Sequence, residues 1–180
     1  AGKATTESIV AAGGKAIFFK TDVSKPEEME ALVNFAIKAY GKLDVAVNNA
    51  GIGGELNLIA DMSLEGWQKV IGINLNSLFY GMKYQIKAML KNGSGSIVNI
   101  SSILGSVGFA GSAGYTAAKH GVVGLTQAAA LEYSAQGIRV NAVGPGFIET
   151  PLLDALDAEM KKQLVSLHPI GRLGKSEEVA

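Results

Sequence analysis

Tyr115, Lys119 and Ser102 have side chains and a spacing that could transfer a proton near neutral pH. Tyr115 and Lys119 are four residues apart, and Ser102 precedes the tyrosine by thirteen residues. On a helix, residues i and i+4 share one face, so the lysine ammonium would lie near the phenol. A nearby positive charge lowers the pKa of a phenol from about 10 towards the range in which general acid-base catalysis is efficient. The Ser102 hydroxyl could hold the oxygen atom that gains or loses the proton.

The sequence around these three residues favours a ligand site over an ordinary surface helix. A Tyr-x-x-x-Lys pair occurs by chance on surface helices, so the pair alone does not indicate catalysis. No charged residue lies between Lys91 and Lys119, however, and this stretch is rich in Gly, Ser and Ala. Small residues let a ligand approach the backbone closely. We therefore expect a ligand to bind beside Tyr115.

The composition is that of one neutral globular domain. The chain has 180 residues, of which 48% are hydrophobic, and sixteen acidic residues balance sixteen basic ones. This balance argues against a nucleic-acid partner. The uncharged stretch 92–118 contains too much Ser and Gly for a membrane span. Cysteine is absent, and His120 and His168 are far apart in the sequence, so we expect neither disulfides nor a metal site.

Apolar segments alternate with helical patterns along the chain. Ser24 with Glu27 predicts a capping box, and Ser63 predicts a second helix start. The predicted strands are 16–19, 43–48, 96–101 and 138–143, and the predicted helices are 4–11, 25–40, 64–92, 112–135 and 152–166. This alternation predicts an α/β fold with a doubly wound, Rossmann-like parallel sheet that is covered on both faces.

Glycine and polar residues follow each predicted strand, at the sheet edge where ligands bind in such folds. These segments are Asp22-Val23, Asn48 to Gly51, Ser101-Ser102 and Gly144 to Gly146. Each one could be ordinary turn chemistry. Four at one edge, together with the Tyr115 pair, predict a ligand crevice.

These segments, in this order and spacing, resemble the tyrosine-dependent short-chain dehydrogenase/reductase family over nearly the whole chain. The resemblance is carried by Asp22-Val23, Asn48 to Gly51, Asn74, Ser102, Tyr115-x-x-x-Lys119 and Pro145 to Thr150. It implies an oxidoreductase that transfers a hydride between NAD or NADP and an alcohol or ketone. The segment from His168 to Ala180 also resembles 3-oxoacyl-carrier-protein reductases and glucose and cyclic-alcohol dehydrogenases.

The resemblance implies a role for each matching residue. Tyr115 would be the general acid-base, Lys119 would lower its pKa, Ser102 would bind the substrate oxygen, and Asn74 would interrupt its helix and anchor a proton-relay water. The residues implied to bind the cofactor are Asp22 and Val23 on the adenine side, Asn49, Ala50 and Gly51 at the ribose, Tyr115 and Lys119, and Ile148 and Thr150 at the nicotinamide.

Parts of the family pattern are missing from the sequence. The glycine-rich loop and the residue that selects NAD or NADP would precede Ala1, and the last strand of the family would follow Ala180. We therefore expect residues 1–180 to be a single dinucleotide-binding and catalytic domain, an internal fragment of a longer chain that lacks the first βαβ segment and the last strand. In the doubly wound order, the strands at 16–19 and 43–48 would be the third and fourth, with a gap between them.

Two alternatives stay open, a non-catalytic nucleotide-binding relative and an inactive fragment. The presence of all four expected catalytic residues argues against the first. The segment 151–168 is expected to cap a small-molecule substrate, and Leu152, Leu153, Leu156 and Met160 suggest an apolar or mixed pocket. The resemblance further implies a cytoplasmic location and a homotetramer paired through helices 64–91 and 112–135. The residues expected at that interface include Leu78, Phe79, Met82, Val122, Leu125 and Ala129.

Overall fold

The computed structural model of the protein describes residues 2–153 and 156–180. Helices and strands alternate through most of this part of the chain. The helices are α1 (Gly2–Ala11), α2 (Pro26–Tyr40), α3 (Leu64–Ile71), α4 (Ser77–Asn92), α5 (Ala113–Tyr133) and α6 (Ala158–Ser166), and the strands are β1 (Val45–Asn48), β2 (Gly95–Ile100) and β3 (Ile138–Val143). A π-helical turn, Gly72–Asn76, joins α3 to α4. The predicted α/β class is confirmed.

The three strands form a parallel sheet in the order β1-β2-β3. The order of the strands in the sheet follows their order in the chain. Because crossovers between parallel strands are right-handed, α4 and α5 lie on the same face of the sheet. The opposite face is open, and Val45 and Val47 are about 60% exposed there (59% and 60%). The expectation that helices would cover both faces is therefore wrong for the described residues.

The predicted strand at 16–19 does not form. Residues 16–19 have no regular structure, Ile17 and Phe18 are exposed, and Phe19 packs on Phe35 of α2 with ring centroids 4.6 Å apart. A strand needs a neighbour for its backbone hydrogen bonds, and this segment does not pair with β1. The absence of direct pairing between the two segments is as expected.

Helix starts agree with the sequence in some places and differ in others. Ser63 caps α3 as predicted, because its Oγ accepts a hydrogen bond from the Gly66 N–H at 2.8 Å. The predicted Ser24 capping box is wrong. Asp22 Oδ1 instead accepts hydrogen bonds from the Ser24 N–H and hydroxyl, forming a local turn that competes with the cap, and α2 starts after Lys25.

The predicted helix 152–166 is shorter in the structure. A short 3-10 turn covers Pro151–Leu153, and α6 begins after Asp157, whose side chain accepts a hydrogen bond from the Met160 N–H. Residues 154 and 155 of the predicted helix lie outside the described residues.

The core lies between the sheet and the two helices that cover it. It consists of Ala46, Leu78, Met82, Ile86, Met89, Ile97, Val122, Ala129, Ile138 and Val140. A polar chain crosses this core. Asn99, which has no exposed surface, accepts from Asn48 at 2.9 Å and donates to Thr126 at 3.0 Å, and Asn48 exchanges two hydrogen bonds with Gln85. Because each buried amide is paired, the network fixes the carboxyl ends of β1 and β2.

Candidate active site

The first turns of α5 carry the predicted Tyr115 and Lys119. Lys119 is only 4% exposed, and its Nζ donates a hydrogen bond to the Ile100 carbonyl at the end of β2 at 2.8 Å. The same Nζ lies 5.4 Å from the centre of the Tyr115 ring. The Ser102 side chain, just beyond β2, accepts a hydrogen bond from the Leu104 N–H at 3.2 Å and lies near enough to the Tyr115 phenol to lower its pKa. The structure therefore brings the three residues together.

The pKa values of the pair differ from what spacing alone predicts. Burial raises the pKa of the Tyr115 phenol above its ordinary 10.0, and the polar side chain of Ser102 opposes this rise without cancelling it. Burial also lowers the pKa of Lys119 to about 8. Burial outweighs the influence of the neighbouring Lys119 on the phenol in this structure, and the role of Lys119 in lowering the pKa of Tyr115 stays a prediction. The ammonium faces the Ile100 carbonyl and the ring, while loss of water penalises both charged forms.

Asn74 lies in the π-helical turn and is 3% exposed. Its Oδ1 accepts a hydrogen bond from the Ile52 N–H, and its Nδ2 donates to the Ile52 carbonyl, both at 2.8 Å. The Asn74 side chain thus hydrogen-bonds to both the N–H and the carbonyl of Ile52. The regular helix is interrupted at Asn74, as the resemblance implies. Single π turns of this kind are frequent at functional sites.

A cavity of about 590 Å³ lies beside these residues. One side, called here the catalytic wall, contains Asn49, Gly51, Ile100, Ser102, Tyr115 and Lys119. A second set of lining residues, from the chain after residue 146 and called here the apolar wall, contains Phe147, Ile148, Thr150, Leu152, Leu153, Leu156, Met160, Leu164 and Val179. All four apolar residues expected to cap the substrate lie in this second wall.

Four of the expected site residues do not line the cavity. Asn74 lies behind Gly51, and Ala50 is exposed beside it. Asp22 and Val23 are also outside the cavity wall. Hydrogen bonds to Ser24 lower the pKa of Asp22, as expected for a carboxylate in a turn. The expected place of Asp22 and Val23 on the adenine side of the cofactor stays a prediction.

Several residues of the cavity were not predicted from the sequence. Phe109 is a large aromatic residue in the small-residue loop after Ser102, and this contrast could have indicated it. Ser176 and Val179 also line the cavity. They reach it only through the fold, because the Ile148 segment forms a bridge with Gly174, and no local pattern reveals that contact.

The catalytic wall fits the nicotinamide half of a dinucleotide. A methyl group added to Gly51 would lie 3.3 Å from Asn74 Oδ1 and 3.9 Å from Lys119 Nζ. Glycine therefore leaves a space next to an amide oxygen and an ammonium, which is where a ribose hydroxyl could bind. Ile148 and Thr150 line the same cavity.

Comparison with known proteins agrees with this geometry. The family model described as enoyl-(acyl carrier protein) reductase matches residues 1–180. The chain belongs to the short-chain dehydrogenase/reductase family. It is 51% identical over 180 residues to cyclohexanol dehydrogenase of Acinetobacter sp. strain SE19, covering 100% of this chain and 70% of that protein.

Two solved structures of this family have the same fold. Levodione reductase is 35% identical, with a TM-score of 0.93 over 98% of this chain and 72% of that one. ElxO with NADP bound is 40% identical, with a TM-score of 0.83 over 88% of this chain and 65% of that one. The predictions of family, of NAD or NADP as the cofactor, and of an alcohol/ketone oxidoreductase are confirmed at this level. In residues 2–153 and 156–180, no helix is both long enough and apolar enough to cross a membrane.

Proposed function

We propose that residues 1–180 are one dinucleotide-binding and catalytic domain of an enzyme that oxidises a small, largely apolar cyclic secondary alcohol, or reduces its ketone. The observation that carries the proposal is the pairing of two unlike walls around one cavity. Ser102, Tyr115 and Lys119 form one wall, and aliphatic and aromatic side chains form the other. The similarity to cyclohexanol dehydrogenase favours the same substrate class.

Each residue of the catalytic wall has a task in this reaction. Bound NAD or NADP would supply the hydride chemistry. The Ser102 hydroxyl holds the substrate oxygen beside the Tyr115 phenol, which gives a proton to a ketone oxygen or takes one from an alcohol. The raised pKa of Tyr115 keeps the phenol protonated at neutral pH, which is the form that ketone reduction needs. Alcohol oxidation needs the phenolate, so we expect that direction to become faster as pH rises.

Lys119 and Asn74 support these steps. With a pKa of about 8, Lys119 carries its charge at pH 7 and stabilises negative charge that develops on the phenol. It would also hold the nicotinamide ribose with Asn49 and Gly51, while Ile148 and Thr150 would bind the nicotinamide. Asn74 fixes the Ile52 backbone and so the position of Gly51.

The assembly and location implied by the resemblance are also proposals. A homotetramer through α4 and α5 is supported by exposed apolar side chains on both helices, Phe79 at 49% and Leu131 at 87%. Among the interface residues expected from the sequence, however, Leu78, Met82, Val122 and Ala129 are buried in the core of the chain itself. Sedimentation of the full-length protein tests the tetramer, and cell fractionation tests a cytoplasmic location.

The substrate class can be tested with two alcohols of similar ring size. We expect the full-length enzyme, assayed with NAD⁺ and with NADP⁺, to have a kcat/KM for cyclohexanol at least ~10²-fold above that for glucose. Each sugar hydroxyl placed against the apolar wall without a partner costs about 1–3 kcal/mol. A preference for glucose would overturn the substrate class. Tight cofactor binding without turnover of any alcohol would instead favour a non-catalytic relative.

A further inference from the structure

The two histidines of the chain have one contact in common and one that differs. His120 Nδ1 lies 3.0 Å from the Thr116 carbonyl, one turn back on α5, and the side chain is exposed. His168 Nδ1 makes the same kind of contact, 2.8 Å from the Leu164 carbonyl of α6. His168 also has a second partner, because its Nε2 lies 3.2 Å from the backbone nitrogen of Phe147.

These two contacts define the protonation of His168. The Phe147 N–H can only donate, so Nε2 must accept, and the ring proton must then be on Nδ1. From Nδ1 it is donated to the Leu164 carbonyl. The neutral ring is therefore a bridge that uses both nitrogens, one towards α6 and one towards the loop 144–150.

Both ends of this bridge carry side chains of the apolar wall. Leu164 is 2% exposed and lines the cavity from α6. Phe147 lines it from the loop, and its ring packs edge-on against His168, with centroids 5.6 Å apart. The approach is close, since a methyl group at Gly146 would lie only 2.9 Å from His168 Nε2.

The loop has a second attachment that does not involve α6. Phe147 accepts a hydrogen bond from the Gly174 N–H at 3.0 Å, and the Glu149 N–H donates to the Gly174 carbonyl at 2.9 Å. These bonds hold the backbone on both sides of Ile148. Loss of the His168 bridge would therefore leave the Ile148 backbone in place and remove a hydrogen bond that joins the end of α6 to the loop.

We propose that His168 is a positioning residue that sets the distance between α6 and the loop 144–150, and thereby the width of the alcohol-binding half of the cavity. The inference rests on the proposed alcohol substrate. A wider cavity makes fewer contacts with a small ring, so KM for a small alcohol depends on the bridge. The proton-transfer groups are on the catalytic wall, so kcat and cofactor affinity depend on it much less.

Three substitutions in the full-length enzyme separate the two hydrogen bonds. His168→Asn keeps an amide that can donate to the Leu164 carbonyl and loses the acceptor for Phe147. His168→Gln places a side-chain oxygen further out, where it can accept from the Phe147 N–H. His168→Leu removes both bonds, and His120→Asn is the matched control on an exposed helix surface.

We expect His168→Asn and His168→Leu to raise KM for cyclohexanol roughly 10-fold, the scale of one lost hydrogen bond in the protein interior or at its edge. Their kcat and cofactor Kd should change less than about 3-fold. His168→Gln should restore most of the affinity, and His120→Asn should behave as the wild type. For alcohols with a bulky 4-substituent, KM should rise less than it does for cyclohexanol, because the widened cavity accommodates the substituent.

A second measurement does not depend on turnover. Amide hydrogen exchange at Phe147 in the ligand-free enzyme should be faster in His168→Asn than in the wild type, and slow again in His168→Gln. Gly146→Ala, which displaces Nε2 while His168 is present, should raise KM in the same way and add little to His168→Asn. Equal KM and equal Phe147 exchange in the Asn and Gln variants would overturn the inference. A wild-type enzyme that turns over no cyclic alcohol, with exchange still responding as expected, would contradict only the proposed function.

Discussion

The two walls of the cavity are held in place by different kinds of interaction. The catalytic wall is held by hydrogen bonds of buried side chains. Lys119 donates to the Ile100 carbonyl, Asn74 bonds to the Ile52 backbone, and Asn99 belongs to the polar network with Asn48, Gln85 and Thr126. The apolar wall is attached by His168, by the pairing with Gly174, and by an exposed Arg172–Glu178 ion pair. The groups that do the chemistry are therefore built into the core. The groups that select the substrate lie on the short helix α6 and on loops, where substitutions cost little stability.

The largest expected effect comes from the catalytic wall. Tyr115→Phe removes one hydroxyl and leaves the ring, so turnover of the full-length enzyme should fall at least ~10²-fold, the usual scale for loss of general acid-base catalysis. Cofactor Kd, measured by fluorescence titration, should change less than about 3-fold. Tyr40→Phe, at a 51% exposed tyrosine, is the control. Retained turnover in Tyr115→Phe would remove Tyr115 from the mechanism.

Lys119 gives a prediction in which activity and stability move in opposite directions. Its pKa is lowered to about 8 from an ordinary 10.5, so below pH 8 the folded protein buries a charge that the unfolded chain exposes to water. Between pH 8 and 10.5 the folded form is neutral while the unfolded form stays charged, so this destabilising contribution is relieved as pH rises. Lys119→Met should therefore be inactive yet gain stability relative to the wild type at pH 7.

Denaturant melts of the full-length protein at pH 7 and pH 10 measure this difference. The stability advantage of Lys119→Met should shrink by about 2 kcal/mol between the two pH values, since one pKa unit corresponds to about 1.4 kcal/mol. Lys87→Met, at an exposed position of α4, should show no such change with pH. A difference that is independent of pH would mean that Lys119 is charged throughout.

The polar network through Asn99 is expected to contribute to the free energy of unfolding. Asn99→Leu removes a side chain with no exposed surface and leaves Asn48 and Thr126 each without one hydrogen-bond partner. The free energy of unfolding should fall by about 2–3 kcal/mol, because a buried unsatisfied polar group costs about 1–3 kcal/mol. Asn92→Leu, at the exposed end of α4, is the control. An unchanged free energy of unfolding in Asn99→Leu would show that the polar network does not stabilise the catalytic wall.

The sequence predicts the catalytic wall better than the apolar wall for a physical reason. Tyr115 and Lys119 are brought together by one helix, and Ser102 follows a buried strand, so local pattern is enough to place them. The predicted bounds of β3, Ile138 and Val143, match the observed strand, because its apolar pattern is also local. The segment 16–19 has the same kind of pattern, yet a strand exists only where a neighbour pairs with it.

Features that depend on packing between distant parts of the chain could not be predicted from the sequence. The direction of the Tyr115 pKa shift follows from burial, which spacing does not show. Leu78 and Met82 were expected at a subunit interface, and only the structure shows that their helix face covers the sheet. The second hydrogen bond of His168 joins residues twenty-one positions apart in the chain.

The smallest expected effect comes from the exposed end of the apolar wall. Arg172 forms two hydrogen bonds with Glu178, and Glu178 also accepts from the Lys175 N–H, which shapes the segment that carries Ser176 and Val179. The hydrogen bond from Arg172 lowers the pKa of Glu178 to about 2, so the pair stays ionised until pH falls towards that value. Arg172→Gln should raise KM for cyclohexanol by no more than about 3-fold, since exposed ion pairs contribute little. The ratio of variant to wild-type KM should be constant from pH 6 to pH 9, because neither partner titrates there. A 10-fold rise, as expected for His168→Asn, would mean that this ion pair holds the apolar wall as firmly as the part-buried His168 bridge does. The contrast between the attachments of the two walls would then be wrong.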